Sequence, residues 1–136
     1  MNYIIESLFI GLYTCIIYLI FSPFIKNFSL LLLVCGFFKH ILGFIFGIHE
    51  WYCNNGDACL QRQKTNNQFN FSASSKYVLR DSINEAFIFV VVGSLLHFLI
   101  ENELYLFFIM GVMLHISSEK NGIHNYFCRQ SCIKKN

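Results

Sequence analysis

The sequence predicts an all-α integral membrane four-helix bundle, made of two tandem helical hairpins related by a pseudo-two-fold axis along the membrane normal. Three observations point there. The 136 residues are 55% hydrophobic and only 13% charged, with 16 Phe and one Pro, at a mean hydropathy of +0.50. Apolar stretches approach the ~20 residues that a helix needs to cross ~30 Å of hydrocarbon. One Gly/His/Cys pattern also occurs twice, 75 residues apart. This composition excludes disorder and collagen-like repeats. A net charge of +2 excludes a strongly basic nucleic-acid binder.

Tyr3 to Phe21 is the first expected span, stopped by Ser22-Pro23 because proline lacks an amide donor and disfavours helix in the residue before it. Phe28 to Ile48 follows as the second, closing a hairpin over residues 1–53. Residues 54–81 are rich in Asn, Gln and Ser and read as a polar cytoplasmic loop. Ser82 and Glu85 have capping-box spacing ahead of the third span, Ala86 to Ile100. Glu101-Asn102-Glu103 then turns the chain into a fourth span from Leu104. That span is strictly apolar only to Ile116 and reaches full length if its helix continues through Ser117, Ser118 and Glu119. The second hairpin covers 82–128, and 129–136 is a basic tail. No Lys or Arg precedes the first span and no small-x-small site follows it, so it is expected to remain as an anchor.

Basic residues set the orientation. Arg62, Lys64, Lys76 and Arg80 in the loop, and Lys120, Arg129, Lys134 and Lys135 near the C-terminus, fall on one side, against Lys26 with Glu101 and Glu103 on the other. Both termini are therefore expected in the cytoplasm.

The repeated pattern is Gly-x3-His-x6-Gly-Ile-His-x3-Cys, with Gly36, His40, Gly47, His49 and Cys53 matched by Gly111, His115, Gly122, His124 and Cys128. Gly36, His40, Gly43 and Gly47 share one helical face, a small-residue stripe that would pack the second span against the fourth. His40 and His115 serve either that packing or, on the functional reading, haem ligation. His49 and Cys53, four residues apart like His124 and Cys128, offer a Cys2His2 set suited to zinc if the two copies meet. A reducing cytoplasm would keep these thiols free, whereas an inverted topology would favour disulfides. The plainer reading places them in an interfacial belt with Trp51, Tyr52, Tyr126 and Phe127.

His97 and Glu101 have the spacing of a titratable pair on a helix, and a proton or cation path through His97, His40 and Glu6 is a further expectation. No Walker loop, dinucleotide fingerprint or nucleophile elbow occurs, so the expected role is structural or scaffolding. Its expected partners are the bilayer, itself or other membrane proteins. A metal- or haem-binding redox or transport protein is the alternative. Heavy use of Phe, Ile, Asn, Lys and Tyr is typical of AT-rich coding sequence, as in large DNA viruses and certain protists.

The topology makes a direct prediction for the sequons at Asn27 and Asn70. Translation into microsomes should glycosylate neither, because Asn27 lies too near the membrane and Asn70 faces the cytoplasm. A glycan on Asn70 would reverse the orientation.

Overall fold

A computed structural model describes residues 2–55, 67–69, 71–124, 126 and 132–134. The architecture is helical: α1 (Tyr3–Phe21), α2 (Phe28–Ile45), α3 (Ile48–Asn55), α4 (Phe71–His97) and α5 (Glu103–Lys120). A three-residue antiparallel ladder pairs β1 (Asn67–Phe69) with β2 (Cys132–Lys134). Two of the helices, α1 and α2, are long and apolar enough to cross a membrane.

Helix starts are set by side-chain caps. Asn2, Asn27 and Asn102 accept from the amides of Ile4, Leu30 and Tyr105, each satisfying a donor that the first turn leaves open. Ser82 does not act this way. α4 begins at Phe71, inside the segment expected as loop, and Ser82 sits mid-helix with its hydroxyl donating to the Val78 carbonyl at 2.6 Å. The Ser82/Glu85 spacing thus caps nothing, and Glu85 is free to bond across to another helix. α5 does continue through Ser117, Ser118 and Glu119 to Lys120.

The second expected span is shorter than its apolar run. α2 stops at Ile45, and Gly47 adopts φ +72° before α3 sets off in a new direction. Gly122 repeats this after α5 with φ +71°. A Cβ at either glycine would meet no atom within 4 Å. Their role is therefore to permit a left-handed turn, not to extend the packing stripe that the sequence suggested.

The main helix pairs are α2 with α4 and α1 with α5. This corrects the expected pairing of the second span with the fourth. A Cβ at Gly36 would lie 2.8 Å from the Ala86 Cα and 2.9 Å from the Glu85 carbonyl oxygen. One at Gly111 would lie 3.0 Å from the Gly11 Cα and close against Thr14. Each crossing brings backbone to backbone, which only small residues permit. Around them Ile17, Leu31, Leu32, Cys35, Phe89, Leu106, Phe107 and Met110 form a buried core. Positions 36, 86, 27 and 47 thereby do what positions 111, 11, 102 and 122 do, at the same 75-residue separation.

Size and backbone geometry can be told apart at these glycines. Gly36→Ala should destabilise by about 1–3 kcal/mol through overpacking, and Gly36→Asn by more. At Gly47 the order should reverse, Asn being tolerated better than Ala because it enters the left-handed region more readily. Thermal unfolding in detergent reads both series.

Candidate functional site

Polar side chains that the apolar helices might have turned outward gather instead at one end of the bundle, where α3 folds back beneath α2. On a straight helix His40 and His49 would point half a turn apart. The break at Gly47 cancels that offset, and their ring centroids lie 4.5 Å apart. Gly43 makes room, since a Cβ there would stand 3.1 Å from His49 Nε2. His40 Nδ1 donates to Glu85 Oε2 at 2.7 Å, and the Lys39 ammonium forms an ion pair with the other carboxylate oxygen. α2 and α4 are thus joined by a three-member polar network beside their glycine crossing.

A second cluster lies between α1, α3 and α5. The His115 and His124 rings are 4.6 Å apart. His124 Nδ1 donates to Glu119 Oε2 at 2.7 Å, and the Tyr52 hydroxyl donates to the same carboxylate oxygen. Tyr52 also presents its ring edge-on to His115. The His115 side chain is 5% exposed, and its Nε2 makes no hydrogen bond, standing 3.6 Å from Oε2 of the buried Glu6. His115, Glu119 and His124 each offer one ligand atom, and all three atoms fall within 4.8 Å of one another.

His40, His49, Tyr52, Glu85, His115 and His124 all line one cavity of about 620 Å³. Burial pushes the His49 imidazole down to about 3, with the neighbouring His40 adding to the shift. His49 is accordingly a neutral imidazole at physiological pH.

The sequence-derived residues fall unevenly into this geometry. His40, His49, His115 and His124 come together at the cavity, but each pairs first within its own copy of the pattern. The Cys53 side chain and Cys128, called as zinc ligands with His49 and His124, lie outside the described residues. Gly36 and Gly111 are packing residues, and Gly47 and Gly122 are turn residues. His97 is the last residue of α4, so Glu101 lies beyond the helix end and loses the spacing that would pair them. The His97 ring stacks on Phe28 instead, centroids 4.2 Å apart.

Glu85, Glu119 and Tyr52 were not singled out as site residues. Glu119 was the most legible of them, four residues after His115 on one helix face. Glu85 and Tyr52 reach the site only across helices. The chain matches no protein-family model, no curated protein and no solved structure.

The neutral His49 fixes the sign of a pH effect. Its folded pKa lies below the unfolded value near ~6.5, so below that pH the unfolded chain takes up a proton that the fold refuses. Stability should be fully present above about pH 6.5 and fall progressively toward pH 3. His49→Gln should flatten the decline between pH 6.5 and 5, read as melting temperature against pH.

Proposed function

We propose that this chain is a multi-pass membrane scaffold: a lipid-embedded four-helix bundle of two repeated hairpins, with both termini in the cytoplasm. The observation that carries the reading is an inverted distribution of polarity. On α1, Glu6, Ser7 and Thr14 are buried, whereas Ile5, Leu8, Leu12, Ile16 and Leu19 are exposed. On α4, Phe87, Ile88, Val91 and Leu95 face outward too. A water-soluble bundle hides its aliphatic face and wets its carboxylates. In lipid, apolar side chains contact the tails, and ionisable groups turn inward to find partners.

The 27 residues of α4 span about 40 Å at ~1.5 Å per residue. Its apolar part crosses as the third span, while its polar start projects into the cytoplasm. The equivalences between positions 36 and 111, 11 and 86, 27 and 102, and 47 and 122 support reading the hairpins as copies about a pseudo-two-fold axis. The partners this surface favours are the bilayer and other apolar helices. The catalytic motifs absent from the sequence leave scaffolding as the role.

Nitroxide labels at Leu12→Cys and Val91→Cys in a Cys-free background test the reading. In lipid vesicles both should collide with dissolved oxygen and be shielded from a water-soluble nickel chelate. Strong relaxation by the chelate at both sites would show a soluble bundle and reject the membrane assignment.

A further inference from the structure

We infer that His115, Glu119 and His124 bind one divalent first-row transition metal ion, zinc in chemical class, at the cavity end of α5. The inference holds whether or not the helices cross a bilayer.

The two clusters of the cavity are built on equivalent frames but differ in charge. Beside His40 and His49, the carboxylate of Glu85 is answered by the ammonium of Lys39. The position 75 residues after Lys39 is Leu114. The Glu119 carboxylate pairs with the His124 imidazole, and the frame position that supplies Lys39 to the first cluster holds an apolar side chain. Protonating both rings would place two like charges 4.6 Å apart in a buried setting. A divalent cation supplies the positive charge while leaving the imidazoles neutral, the form in which they ligate.

Geometry agrees with this reading. Donors at about 2.1 Å from zinc in a tetrahedron lie about 3.4 Å apart, and the three ligand atoms already sit within 4.8 Å. His115 is buried, lines the cavity, and keeps a ring nitrogen without a hydrogen bond. Such an atom is costly in a protein interior unless something binds there.

The surroundings supply what metal sites require outside the ligands. The Tyr52 hydroxyl, already donating to Glu119, orients that carboxylate. Two nitrogens and one oxygen suit zinc and its neighbours better than magnesium or calcium, which prefer all-oxygen shells.

The test uses the full chain purified in detergent, stripped with chelator, and titrated with Zn(II) and with Co(II) as a spectroscopic probe. One equivalent should bind, with tetrahedral Co(II) visible bands. Glu119→Gln and His124→Ala should each weaken binding at least tenfold, and Tyr52→Phe, which keeps every ligand, by about 10–100-fold. A Cys53→Ser/Cys128→Ser double variant should leave affinity unchanged. Melting curves of the metal-free variants separate lost ligation from lost folding, and Tyr52→Phe carries the test if a ligand variant does not fold. Two results would overturn the inference: no binding at micromolar metal, or binding abolished by the cysteine substitutions and retained in Glu119→Gln.

Discussion

Backbone contact at two glycine crossings governs the rest of this structure. Where Gly36 meets Ala86, and where Gly11 meets Gly111, even a methyl in place of the glycine hydrogen would force the helices apart. Side chains near the crossings interlock as a result. Leu32 fills the space that Gly93 leaves open, and at the matching place the Tyr18 and Phe107 rings meet at a tilt with centroids 4.7 Å apart. Close packing of this kind gains dispersion energy over many contacts and needs no water to drive it. It suits helices whose outer faces are as apolar as their core.

The same proximity explains why charged groups can exist inside the bundle. Tyr13 donates to the Lys39 carbonyl at 2.8 Å, and Lys39 and His40 reach Glu85 on the neighbouring helix. At the other end Tyr18 donates to Glu103 at 2.9 Å, fastening α1 to the start of α5. Each half-buried carboxylate would be costly alone and becomes tolerable when a donor stands within hydrogen-bonding distance. Helix approach and charge pairing therefore support one another, and widening either crossing would strand the ions it brings together.

Equivalent frames need not carry equivalent chemistry. The turns at Gly47 and Gly122 bring His49 back over His40 and His124 back over His115. Lys39 and Leu114 then differentiate the two places, an ammonium standing at one and an apolar side chain at the other.

By itself the sequence determined the helical class, the apolar character of the spans, the turn at Ser22-Pro23 and the spacing of Gly, His and Cys. These are local properties, set by proline geometry, by composition and by residue period. It also brought out the four histidines, because Gly-Ile-His recurs. Only the tertiary structure decided which helices pair, since small-residue stripes on α2 and α5 are legible without naming the helices they face. It alone turned Gly47 from a packing residue into a turn, which reversed the inference that His40 and His49 cannot meet. Glu85 looked like part of a capping box because local spacing cannot tell that a helix already runs through Ser82. Tyr52 reaches Glu119 and His124 across 67 and 72 residues of sequence. Such contacts depend on helix packing, and no period within one segment encodes them.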